Sequence, residues 1–161
     1  MFATLVGADA LDARFAALPA GLAAGLEAKA RDLAAALVAK VQDEKLSGQA
    51  LQTRSGALKA SITADVAMDG GTLTATVGSF GDVKYAAIQE YGGHTAPHEI
   101  LPDKAKALAF VVGAGTVFAR RVEHPGSDIP ARAYLSSSLE ESSDAIVAEL
   151  AAVAQDAWDN R

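Results

Sequence analysis

"ALKASITADVAMDGGTLTATV", residues 57–77, is where the apolar period of the chain changes, and its reading decides the fold class. Leu58, Ala60, Ile62, Ala64, Val66 and Met68 alternate with Lys59, Ser61, Thr63 and Asp65, a period of two that sends one face to a core and the other to water. A strand is expected from Ala57 onward. Asp69-Gly70-Gly71 supplies residues that accept the positive φ of a tight turn, and Leu73, Ala75 and Val77 alternate with threonines beyond it. The stretch predicts a β-hairpin.

Upstream the period is helical. Between Gly21 and Glu44, Leu22, Leu26, Ala30, Leu33, Leu37 and Val41 recur every three or four residues, with Glu27, Arg31, Asp32 and Lys40 between them. The helix is expected to start near Pro19, whose fixed φ suits a first turn, and to end at Gly48 in "KLSGQ". Downstream, "KYAAIQEYGG" reads as a short helix stopped by Gly92 and Gly93. Residues 94–106 have two prolines and no sustained period, so they read as a loop with a short extended piece at Glu99-Ile100-Leu101. "ALAFVV" and "TVFARRV", joined by Gly113-Ala114-Gly115, form a second hairpin, and Leu135, Leu139, Ile146, Leu150 and Val153 mark a closing helix to about Trp158. The order predicts an α+β fold: an antiparallel sheet built from two hairpins, covered by a long N-terminal and a long C-terminal helix.

The chain has 161 residues, half of them hydrophobic, which suits a single domain spanning 1–161, with 1–18 set apart as a segment that could be flexible. It has no cysteine, which removes disulfides, thiolate metal sites and thiol nucleophiles. Asp9, Asp12 and Arg14 break the apolar N-terminal run well short of a membrane span, so a soluble, unexported chain without membrane contact is expected. The net charge of -6, concentrated in "LEESSDAIVAEL" and "QDAWDN", has the wrong sign for gripping phosphates. An acidic surface does suit a channel through which DNA must slide.

Candidate chemistry is sparse. His94 and His98 with adjacent Glu99, together with His124, could form a metal site, and a small metal-dependent enzyme using these four residues is the alternative reading. Against it, Pro97 interrupts any helix that would align His94 with His98, and the spacing departs from the zinc-protease pattern. The serines at 136–138 and 142–143 lie on a helix face with no neighbouring histidine, and "GAGT" lacks the lysine and following helix of a phosphate loop. An alternating strand sends Arg120 and Arg121 to opposite faces, where one can pair with a carboxylate across the sheet. Trp158 is expected to anchor the last helix. No catalytic residue, cofactor or bound metal is assigned, and the chain is not read as an enzyme.

Four stretches, in order, carry a likeness. "TRSGALKASI" (53–62) resembles the Arg-Thr-Gly-x-Leu-Arg-x-Ser-Ile opening of the phage tail-completion family named after gene product ten of phage HK97 and related to minor tail protein Z. "YAAIQEYGG" (85–93) is similar to its Tyr-Ala-x-x-x-Glu-Phe-Gly box, "LPDKAKALAF" (101–110) to its Pro...Lys-x-Leu-x-Phe strand, and "HPGSDIPARAYL" (124–135) to its His-Pro-Gly...Pro-Ala-Arg-x-Phe-Leu element. Ser55, Tyr91, Gly93 and Tyr134 depart from the usual residues. The resemblance implies a structural virion protein at the head-to-tail junction of a tailed phage, prophage or phage-derived particle, finishing the tail or filling the neck. It further implies a ring of copies, sixfold to match a tail tube, with the tail-tube protein and a head connector or adaptor as neighbours and assembly in the bacterial cytoplasm.

Within that reading, Tyr91, Gly92, Gly93, His94, His98 and Glu99 are the candidate assembly interface, with the 92–106 loop ordering against a neighbour. His124, Pro125, Gly126, Pro130 and Tyr134 form a candidate joint. There Val122 ends the last strand, Pro125-Gly126 turns the chain, Ser127 or Asp128 caps the helix, and Pro130 sits in its first turn, while His124 makes a local hydrogen bond.

Overall fold

The computed structural model describes residues 20–69, 71–103 and 105–159. The fold is α+β, with long helices near both ends and small antiparallel sheets between them. Helix α1 (Ala20–Lys40) continues into a wider π-type segment, Val41–Gln49. The helix ends where the sequence places its stop: Ser47 leaves helical dihedrals and Gly48 adopts φ 133°. Pro19, the expected first turn, lies outside the described residues. Ala30, Ala34, Leu37 and Val41 are buried at three- and four-residue spacing, and Leu46 is buried five residues on, in the π-type segment.

The segment from Ala57 corrects the sequence reading. Its first five residues form a helical turn, α2 (Ala57–Ser61), entered from Gly56 at φ 77°, and strand β1 (Ile62–Asp69) begins only after it. Leu58 and Ile62 explain the ambiguity: they satisfy a period of two, yet they are also four apart, one helical turn. Both are buried. Gln42 fastens this junction to the π-type segment, its Nε2 donating to the carbonyls of Lys59 and Ile62 at 3.0 Å each.

Strand β1 pairs antiparallel with β2 (Thr72–Ser79), from Ile62 opposite Ser79 to Asp69 opposite Thr72, with Gly71 at φ 85° in the turn. The chain goes on through α3 (Ala86–Tyr91), β3 (Gly93–His94), β4 (His98–Ile100), β5 (Leu108–Val112), β6 (Gly115–Ala119), β7 (Val122–His124), β8 (Asp128–Ile129) and α4 (Tyr134–Asp159). Both expected hairpins form, but as separate ladders: the pairs are β1–β2, β3–β8, β4–β7 and β5–β6.

The chain divides into two compact units, Tyr85–Ala133 and the segments before and after it. In the flanking unit α1 packs against both the β1–β2 hairpin and α4. Ion pairs Lys29–Glu149 (2.9 Å) and Lys40–Glu141 (3.0 Å) set α1 and α4 antiparallel, and Lys45 joins Glu141 at 2.6 Å from the π-type segment. A side chain at Gly25 would meet Val153 at 3.3 Å, so the two helices approach closely there. Trp158, expected to anchor α4, is 59% exposed, while Leu150 and Val153 are partly buried. At 3.6 residues per turn, Val153 lies well round the helix from Trp158.

The other unit is an antiparallel out-and-back arm of nested pairs. Gly93 faces Ile129, His98 faces His124, and Leu108 faces Ala119, with the chain reversing at Gly113 (φ 61°). The 92–106 stretch therefore carries two strands: β4 falls one residue before the extended piece expected at Glu99-Ile100-Leu101, and β3 lies where only loop is expected. Strands of two and three residues are too short to show a period. No helix among the described residues is long and apolar enough to cross a membrane.

Candidate functional site

The candidate interface and the candidate joint are the two sides of one structure at the base of this arm. Helix α3 stops at Gly92, whose N–H donates to the Ile88 carbonyl at 2.9 Å. The returning strand then docks on the helix end: the amides of Arg132 and Ala133 donate to the carbonyls of Gln89 (2.9 Å) and Glu90 (3.1 Å). Those carbonyls would otherwise lack partners at a helix C-terminus. A Cβ on Gly92, at φ 71°, would sit 2.7 Å from the Ala131 amide nitrogen and 2.8 Å from the Ile129 carbonyl oxygen. Only glycine fits, because two backbones touch there. The "YAAIQEYGG" and "IPARAY" segments, far apart in sequence, thus meet through backbone hydrogen bonds.

Next along the arm, the Thr95 amide donates to the Ser127 carbonyl (2.9 Å) and the Ser127 amide to Thr95 Oγ1 (2.8 Å). His94 Nδ1 lies 2.8 Å from Asp128 Oδ1. Gly126, at φ 93°, passes beneath this rung so closely that a Cβ would come 2.1 Å from the Thr95 carbonyl oxygen and 2.8 Å from His94 Nε2. His124 does make the local bond expected of it: its Nδ1 accepts from the Gly126 amide at 3.0 Å. That acceptance puts the ring proton of the neutral imidazole on Nε2. His98 Nδ1 donates to the Ala96 carbonyl at 3.1 Å, and its ring stacks on His124 with centroids 5.0 Å apart and 21° between planes.

The joint differs from its sequence reading in three places. Ser127 and Asp128 do not cap a helix; Asp128–Ile129 is a strand paired with Gly93–His94. Pro130 lies before the helix, not in its first turn, because α4 starts at Tyr134 after Ala133 at φ 48°. Val122 begins a strand, β7, where it was expected to end one. One sequence signal pointed this way: a residue before proline is pushed to extended backbone, and Ile129 precedes Pro130. Pro125 carries the chain from β7 into Gly126, and Tyr134 is buried at the start of α4.

His94, His98, His124 and Glu99 do not converge as a ligand set. His98 opposes His124 while Glu99 opposes Glu123, and adjacent residues of a strand face opposite sides. Glu99 instead meets Arg121 at 3.3 Å, with Glu123 at 3.5 Å from the same guanidinium. The pairing does not come from a strand: β6 ends at Ala119, so the expected strand through Arg120 and Arg121 stops short of both. Among the described residues, no group of three or more histidine, aspartate or glutamate side chains is arranged to hold a metal ion.

Two exposed features complete the surface. Tyr91 is 79% exposed at the end of α3, directly beside the fixed backbone of Gly92. At the arm's tip, Phe110, Val111, Val112, Val117 and Phe118 are all exposed, Val111 at 76% and Phe118 at 70%. Sequence reasoning missed this tip, since strands apolar on both faces read as core. The signal available was the lack of any charge between Lys106 and Arg120. No family model, curated protein or solved structure matches the chain.

Proposed function

We propose that the chain is a structural assembly protein at the head-to-tail junction of a tailed phage, prophage or phage-derived particle, a tail-completion or neck component that forms a ring around passing DNA. The observation that carries the reading is the docking of two of the four family-like segments on each other: Gln89 and Glu90 accept from Arg132 and Ala133, and Gly92 fills the contact. Residues that look like family punctuation are the ones this contact requires. Tyr91 stands exposed beside this hydrogen-bonded backbone, suited to meeting a neighbour. The exposed apolar tip and the net charge of -6 support the same reading, the first as contact surface and the second as a lining that does not hold DNA. The neighbours are further copies of the chain, the tail-tube protein and a head connector or adaptor, and the site of action is the particle itself, assembled in the bacterial cytoplasm.

The test is complementation of a deletion in the producing strain with Tyr91→Ala. The variant folds, because an exposed side chain is removed, and completed particles fall at least tenfold. Full titre from the variant would refute the assignment of Tyr91 to the interface.

A further inference from the structure

We propose that the uncharged hairpin β5–β6 of one copy lies along the outward face of α4 of a second copy of this chain. The proposal deepens the ring reading, on which its choice of partner rests, by naming the two surfaces that meet.

The hairpin side is a surface that water alone serves badly. Residues 107–119 contain no charge and no proline, and both faces are apolar: Phe110 and Val117 oppose each other on one, Val111 and Phe118 lie on the other. Among the described residues neither strand has a second neighbour, so both outer edges carry backbone donors and acceptors with no ladder partner there. Natural edges of this kind are normally blunted by charge, proline or a covering element, and a lone two-stranded hairpin is marginal in water. Over its two faces, the hairpin's five large side chains present on the order of 500 Å² of apolar surface, within the patch size that marks interaction sites.

The helix side is complementary. Val147, 67% exposed, continues through Ala151 and Ala154 at helical spacing along the face of α4 turned from α1. Glu140 and Asp144 lie exposed beside that stripe, and α4 holds six acidic residues and no basic one. The hairpin root is framed by exposed Lys106 and Arg120. An apolar tip with a basic root thus fits an apolar stripe with an acidic border, and charge complementarity fixes which copy's surface meets which. The hairpin and α4 belong to different units of the chain, so one contact uses two different patches. That is a head-to-tail interface, the kind that closes into rings.

The test measures mass by analytical ultracentrifugation across a concentration series, using the full chain. The wild type associates beyond a dimer. Val111→Asp/Phe118→Asp has a dead hairpin and Val147→Asp a dead helix face, and each alone is monomeric, with native helix and strand content by circular dichroism. Mixed in equal amounts, they form a 1:1 dimer and nothing larger, since the pair has one intact hairpin and one intact helix face to spend. Arg120→Glu and Asp144→Arg each weaken association at least tenfold, and the double variant Arg120→Glu/Asp144→Arg recovers it. A mixture that stays monomeric, a single variant that associates like wild type, or a wild type monomeric at every soluble concentration overturns the contact. Wild type that polymerises without closing, with the mixing result intact, leaves the contact standing and overturns the ring; closed rings that survive both variants do the reverse.

Discussion

Gly126→Ala tests whether the base of the arm is held by close backbone approach. At φ 93° an L residue is strained, by about 1–2 kcal/mol on the scale of left-handed backbone. The new methyl would also stand 2.1 Å from the Thr95 carbonyl oxygen, which is backbone and cannot swing aside. Relief requires Gly126 and Thr95 to part, and two backbone-amide hydrogen bonds span that gap: Thr95 amide to Ser127 carbonyl and Ser127 amide to Thr95 Oγ1. Losing both adds about 1–3 kcal/mol, for a total of about 2–5 kcal/mol. Hydrogen exchange reads this locally: at about 1.4 kcal/mol per tenfold, the Thr95 and Ser127 amides exchange roughly 30- to 3,000-fold faster. Gly113→Ala is the control, with positive φ (61°) but nothing within 4 Å of the added Cβ. It loosens the hairpin turn and leaves Thr95 and Ser127 protected. If Gly126→Ala keeps both amides within about threefold of wild type, the close approach does not hold the arm's base.

Two further outcomes follow from the flanking unit. Gln42→Met keeps the side-chain length and removes both bonds to Lys59 and Ile62, so it lowers unfolding free energy by about 1–3 kcal/mol in urea titration; a loss under about 0.3 kcal/mol would mean the amide is not fastening the junction. The Lys45 hydrogen bond, followed by that of Lys40, holds the Glu141 carboxyl below its ordinary 4.5. A depressed carboxyl contributes stability above 4.5 and loses it as pH falls through the lower folded-state value, so the gap in urea midpoint between wild type and Glu141→Gln is widest near neutrality and closes in acid. An equal gap at both ends would contradict the pairing.

What the sequence made legible followed the length of its periods. Helix α1 shows its stripe over many turns, and Gly48 stops it where a positive φ is needed. The first hairpin has eight residues on each side to display alternation. The Leu58–Ile62 pair fits helix and strand equally, and only its neighbours in space decide. Strands β3, β4, β7 and β8 have two or three residues each, so their pairing is specified by Gly92, Gly126 and two proline-adjacent segments rather than by any pattern of apolar residues. The candidate interface and joint were both visible as punctuation, yet nothing in the sequence says that one packs on the other, that His98 stacks on His124, or that Trp158 and the second hairpin face solvent. Those facts depend on contacts between residues distant in the chain.

The central claim, that this chain is a ring subunit where head meets tail, is tested most directly by electron cryomicroscopy of particles from the producing strain, with and without the gene. The account predicts a closed ring of this chain between head and tail in the complete particle, and unjoined heads or unfinished tails when the gene is deleted. Complete, joined particles that lack the protein would contradict it.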